Sequence, residues 1–89
     1  MARPFNSLCR DCSMDTAPPR GKTEWYMVVD ELWHEAGMEP LGGCLCVACL
    51  EARIGRILTP ADFIAAAVND LDVPDWGPRT DRLISRLRG

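Results

Sequence analysis

The sequence lacks any apolar run that approaches the roughly 18–20 residues of a membrane-spanning helix. Its first residues, 1–7, contain no apolar core of the kind found in a secretory signal peptide. It also lacks internal repeats and low-complexity tracts, and its 89 residues match the length of one small domain. We therefore expect a globular protein that stays in the cytoplasm and has no membrane partner.

Sets of catalytic residues are missing as well. His34 is the single histidine, and the only asparagines are Asn6 and Asn69. The sequence contains no Ser/His/Asp set, no phosphate-binding glycine loop and no dinucleotide fingerprint. An HNH-like nuclease needs a second histidine and an asparagine beside a catalytic metal, so it stays a remote alternative. The sequence predicts a protein that is not an enzyme, with His34 solvated on the polar face of a helix.

Lysine is nearly absent, since Lys22 is the single lysine and the other basic residues are arginines, and the net charge is −3. This charge gives no overall attraction to nucleic acid. Residues 24–39 carry five acidic side chains and no lysine or arginine, whereas residues 79–88 carry four arginines. These arginines either follow a phosphate backbone or pair with the acidic stretch, and we favour pairing. The candidate contacts with nucleic acid or a protein partner are Arg79, Arg82, Arg86, Arg88 and Trp76.

Cysteine is the residue type with the most informative arrangement. Four of the five cysteines form two Cys-x-x-Cys pairs. A reducing cytoplasm argues against a disulfide framework. Two such pairs can bind one tetrahedral ion through sulfur atoms at about 2.3 Å from the metal. The pattern predicts one structural Zn²⁺ per chain, held by Cys9, Cys12, Cys46 and Cys49.

The alternatives to a zinc site have less support from the residues. Iron takes the same ligands, but iron-binding knuckles usually follow the second cysteine with glycine, whereas Ser13 and Leu50 follow here. A redox pair belongs on a thioredoxin-like βαβ unit, which the order of elements does not supply. The fifth cysteine, Cys44, is spaced less suitably than Cys46 for the second pair. We interpret Cys44 as a buried bystander or a free thiol.

The segment between the cysteine pairs predicts a mixture of strand and helix. Aromatic and β-branched residues at 25–29 predict a strand, and a short helix follows at 30–36. Gly37 is suited to end this helix in a left-handed conformation. A turn at 40–43 leads to a short strand at 44–45, which we expect to pair with the first strand in a β-hairpin.

Helices dominate the part of the chain after this hairpin. The apolar spacing predicts a second helix that starts near Cys46 and is interrupted or ended by Gly55. The segment 59–62 offers a capping threonine, a proline and a carboxylate, and it predicts a third helix that runs to about Asp70. The predicted organisation is a tail at 1–7, a zinc-binding domain at 8–72, a linker at 73–78, and a basic helix at 79–89 that packs on or extends from the domain.

The order of these features resembles a known group of zinc proteins. A turn with two cysteines, a hairpin, and a helix whose first turn carries two more cysteines is similar to the treble-clef zinc finger, over residues 8–58. This resemblance implies the fold and the metal and no particular activity. Three stretches, 25–28, 30–33 and 45–51, are also similar to small uncharacterised proteins of actinobacteria and their phages. The second resemblance implies no function, although it admits a phage-encoded protein.

The fold class expected from these features is α+β. It is a small zinc-stabilised domain with a treble-clef-like four-cysteine knuckle, a short β-hairpin and three to four helices. The expected function is that of a small non-enzymatic zinc-binding protein, a protein–protein interaction module such as an adaptor or inhibitor. The alternative is a nucleic-acid-binding regulator that uses the arginine-rich C-terminal helix. The sequence leaves the partner and the oligomeric state open.

Overall fold

The computed structural model describes residues 7–17, 21–39, 42–72 and 78–89. Within these ranges no helix has the length and apolar character needed to cross a membrane. The described chain folds into three α-helices, α1 (Asp30–Glu35), α2 (Val47–Ile54) and α3 (Asp81–Arg88), with short 3₁₀ turns at Pro60–Asp62 and Ala67–Asn69.

Strand structure in the described ranges is limited to isolated bridges, so the α+β class is not confirmed. The bridges are Leu8–Asp15 and Val28–Phe63, which are antiparallel, and Cys9–Cys44 and Thr23–Arg79, which are parallel.

The predicted β-hairpin between 25–29 and 44–45 is not confirmed either. Val28 bridges to Phe63 instead, and Cys44 bridges to Cys9. The two segments are linked through a side chain, because the hydroxyl group of Tyr26 donates a hydrogen bond to the carbonyl oxygen of Leu45 at 2.8 Å. Each segment therefore satisfies its backbone with a more distant part of the chain.

The predicted third helix is wrong beyond its first turn. The capping box between Thr59 and Asp62 is present, but the turn ends at Phe63, whose backbone is extended with φ −96° and ψ 143°. Phe63 pairs with Val28. The Asn69 side chain accepts from the N–H of Met27 and donates to its carbonyl oxygen. These long-range bonds keep the chain from forming a continuous α-helix where local sequence favours one.

The predicted ends of the first two helices are confirmed by two glycines. Gly37 follows α1 with φ +79°, and Gly55 ends α2 with φ +75°. A side chain at this left-handed φ costs roughly 1–2 kcal/mol, which glycine avoids. The helix that begins near Cys46 therefore ends at Gly55, and the chain returns to the core at Leu58.

The core is built from α1, α2, α3 and the segment that enters α2. Its most deeply buried apolar side chains are Leu45, Val47, Leu50 and Leu83. Leu83 lies on α3, so the C-terminal helix contributes to the same core as α2, which carries the second cysteine pair at its start. Trp76 and the predicted linker and tail, apart from Pro78 and Ser7, lie outside the described residues.

Candidate metal centre

The fold brings the two Cys-x-x-Cys pairs together. The Sγ atoms of Cys9, Cys12, Cys46 and Cys49 all lie within 4.8 Å of one another, and all four are free thiols. The Cys12 and Cys46 sulfur atoms are 3.7 Å apart. Zn–S bonds of about 2.3 Å in a regular tetrahedron place sulfur atoms about 3.8 Å apart. The donor set therefore fits one structural zinc ion held by these four cysteines.

A tight turn presents the first pair. The N–H of Cys9 donates to the Met14 carbonyl oxygen at 2.7 Å, and the N–H of Ser13 donates to the Cys9 carbonyl oxygen at 2.9 Å. Ser13 adopts a left-handed conformation with φ +66°. These contacts close the chain around residues 9–14, so the two thiols point to the same side of the turn.

The second pair lies at the start of α2. Cys46 is the N-cap of this helix, and Cys49 lies within its first turn. The free amide groups and the dipole at a helix N-terminus favour the thiolate form, which is the form that binds metal.

The thiols differ in acidity because their surroundings differ. Burial by itself raises the pKa of Cys9, but backbone N–H groups of Cys46, Cys12 and Asp11 donate to its sulfur and hold the pKa at about 6. Burial raises the pKa of Cys46 and Cys49, and contacts with the Cys9 and Cys12 thiols raise both further. Four adjacent thiolates repel one another, and a bound cation reverses this cost. The cluster thus has the electrostatics of a cation site.

An ion pair next to the cluster connects the first cysteine turn to α2 and to the end of α1. The Arg53 side chain on α2 donates to the two carboxylate oxygens of Asp11 at 2.8 and 2.7 Å. It also donates to the Ala36 carbonyl oxygen, at the end of α1, at 2.9 Å. Hydrogen bonding from Arg53 lowers the pKa of Asp11. Sequence reasoning missed this pair, because 42 residues separate its members.

Two other residues lie outside the cluster. Cys44 is half-buried beside Cys9, with which it forms a backbone bridge, and burial raises the pKa of its thiol. Its sulfur does not belong to the group of four cysteines. His34 is exposed on α1 and is also absent from this group.

The C-terminal arginines are mostly engaged within the molecule. Arg82 and Arg86 form ion pairs with Glu24 and Glu51 at 2.8 and 2.7 Å. Arg79 is buried, and its guanidinium group donates to the carbonyl oxygens of Val68 and Asp70. Of the four arginines at 79–88, only Arg88 is exposed. The structure therefore does not gather these guanidinium groups on one exposed surface.

The predicted pairing of the C-terminal arginines with the acidic stretch at 24–39 is present at Glu24, whose burial the sequence did not predict. Glu24 belongs to the acidic stretch at 24–39, yet it is buried and accepts hydrogen bonds from Arg82, Thr80 and the N–H of Val47. Burial raises its pKa, but these donors outweigh burial and leave the pKa below its ordinary value. A buried glutamate beside a ligand-bearing helix has no local sequence signal.

Comparison with family models, with curated proteins and with solved structures gives no match for this chain. These comparisons give no support to the treble-clef resemblance or to the resemblance to actinobacterial and phage proteins. The identification of a zinc-binding domain rests on the geometry of the four cysteines.

Proposed function

We propose that this chain is a zinc-stabilised protein–protein interaction module without catalytic activity. The observation that carries the proposal is the cluster of four thiols within 4.8 Å. Four protein ligands complete a tetrahedron, whereas catalytic zinc sites keep one position for water or substrate. A closed site supports a structural role in a reducing cytoplasm. The turn and the helix that carry the ligands also support a treble-clef-like arrangement.

The binding surface that we propose is the outer face of α1 together with Glu39, which follows this helix. Asp30, Glu31, Glu35 and Glu39 are exposed there, while Leu32 and Ala36 on the other face of this segment are buried. Exposed carboxylates attract a basic surface and raise the rate of encounter with it. The partner of an adaptor or inhibitor of this kind is a protein with a basic patch.

Nucleic acid is the weaker candidate partner. Binding a phosphate backbone needs several unpaired cationic side chains along one face. Arg82 and Arg86 already bind carboxylates, and Arg79 is buried. This distribution of charge supports a protein partner over DNA or RNA.

Affinity capture with matched variants tests the proposal. Zinc-loaded protein is immobilised and exposed to a nuclease-treated lysate of the source organism, beside Glu31→Gln/Glu35→Gln and, as a control, Arg88→Gln. We expect one protein to be captured by the wild type and the control, and lost from the double variant. Equal capture by all three proteins contradicts the proposed surface. Capture by none, together with a salt-sensitive gel shift of DNA or RNA, contradicts the proposed function.

A further inference from the structure

A single buried carboxylate connects the cysteine cluster to the C-terminal helix. Glu24 is only 2% exposed, and its oxygens accept hydrogen bonds from the starts of two helices. Val47, the first residue of α2, donates its N–H to Oε1 at 2.8 Å. Thr80, the N-cap of α3, donates its hydroxyl to Oε2 at 2.8 Å. Because Val47 directly follows Cys46, the Glu24 carboxylate binds the N–H group of the residue next to a zinc ligand.

Arg82 completes the surroundings of this carboxylate. Its Nε and Nη2 atoms donate to Oε2 and Oε1 of Glu24, each at 2.9 Å. A two-point pair of this geometry fixes the orientation of a carboxylate as well as its charge. The guanidinium group also interacts electrostatically with Cys46. Arg82, on α3, therefore influences both the position of Glu24 and the charge near a ligand.

The backbone of Glu24 is held as firmly as its side chain. Its N–H donates to the Thr16 carbonyl oxygen at 2.8 Å, and the preceding residue, Thr23, exchanges backbone hydrogen bonds with Pro78 and Thr80. These backbone hydrogen bonds hold the Glu24 main chain between the segment that follows the first cysteine turn and the start of α3. Glu24 therefore links α3 to the start of α2.

We propose that Glu24 is a positioning residue of the zinc centre and that Arg82 controls it, so that metal affinity depends on the docking of α3. The inference rests on zinc occupying the four-cysteine cluster. Without Arg82, the buried carboxylate loses two of its donors and turns toward water. The hydrogen bond to Val47 then weakens, and the orientation of the Cys46 thiolate changes. Groups that orient metal ligands in this way typically affect metal affinity by about 10–100-fold.

Arg86 provides a matched control on the same helix. It also forms a two-point pair with a glutamate, Glu51, at 2.7 and 3.3 Å. Glu51, however, accepts its backbone hydrogen bond from Leu58, which is not next to a ligand. Loss of Arg86 removes a comparable contact between α3 and α2 without disturbing the start of α2.

The test is cobalt(II) titration of the full-length wild type, Arg82→Met, Arg86→Met and Glu24→Gln, with competing chelator. The readouts are the affinity and the visible spectrum of the cobalt–thiolate centre. We expect Arg82→Met and Glu24→Gln to lose about 10–100-fold in affinity and to shift the spectrum. We expect Arg86→Met to lose less affinity than Arg82→Met and to keep the wild-type spectrum.

The outcomes separate coupling from general loss of stability. If Arg82→Met and Arg86→Met lose equal affinity and keep the wild-type spectrum, α3 acts through overall stability alone and the inference is wrong. A wild type that binds no cobalt or zinc contradicts the zinc centre and the coupling together. If Glu24→Gln does not fold with metal, Arg82→Met still decides the outcome against its control.

Discussion

Removal of the metal, by chelation or by Cys9→Ser, is the perturbation with the largest expected effect. The folded chain exposes 5711 Å², whereas an unfolded chain of 9.9 kDa exposes roughly 14,400 Å². Folding therefore buries about 60% of the surface, which is the marginal end for a small domain. Net stability at this length is about 4–13 kcal/mol. A structural zinc ion contributes about 10–16 kcal/mol in zinc-finger peptides, so we expect the metal-free chain to unfold.

Native mass spectrometry and far-ultraviolet circular dichroism measure the two consequences together. We expect one zinc per chain in the wild type and in Cys44→Ser, which changes a half-buried thiol beside the cluster but outside it. Cys9→Ser and chelated wild type should lose both the metal and the helical signal. A chelated protein that keeps the wild-type melting temperature, or a Cys9→Ser protein that binds zinc as tightly as wild type, would refute the reasoning.

Three further predictions concern the core, the charges and the surface. Leu50 is fully buried, so Leu50→Ala should lower the free energy of unfolding by about 2–5 kcal/mol. The control Ile57→Ala, at a side chain that is 64% exposed, should change this free energy by less than about 0.5 kcal/mol. Equal urea midpoints for the two variants would contradict the assigned core. Hydrogen bonding from Arg56 lowers the pKa of Asp62 from 3.8 to about 2. The ionised Asp62 carboxylate therefore stabilises the fold fully above pH 3.8, and this stabilisation is lost as the pH falls toward 2. The gap in urea midpoint between wild type and Asp62→Asn should therefore stay constant from about pH 7 to 4.5, and a gap that narrows in this range would contradict the ion pair. Arg88→Gln should bind mixed DNA and RNA no differently from wild type in a low-salt gel shift, and a shift of wild type that this variant loses would revive the nucleic-acid hypothesis.

The sequence by itself determined the features that depend on neighbouring residues. Cysteines three positions apart must lie close together, so the two pairs were visible as halves of a metal site. Gly37 and Gly55 were visible as helix ends because few other residues adopt positive φ at low cost. The capping box at 59–62 was also predictable, because its donors and acceptors lie within one turn of the chain.

Only the tertiary structure decided where each segment found its partners. The residues after Asp62 do not continue as an α-helix, because Phe63 and Asn69 bind the distant segment near Met27. Charge grouping along the chain favoured pairing of the C-terminal arginines with the acidic stretch at 24–39, but only folding selects Glu24, buries it between two helices and pairs it with Arg82, 58 residues away. Such pairs are selected by three-dimensional packing and by the cost of burying an unpaired charge. That physical requirement leaves no periodic or local pattern in the sequence.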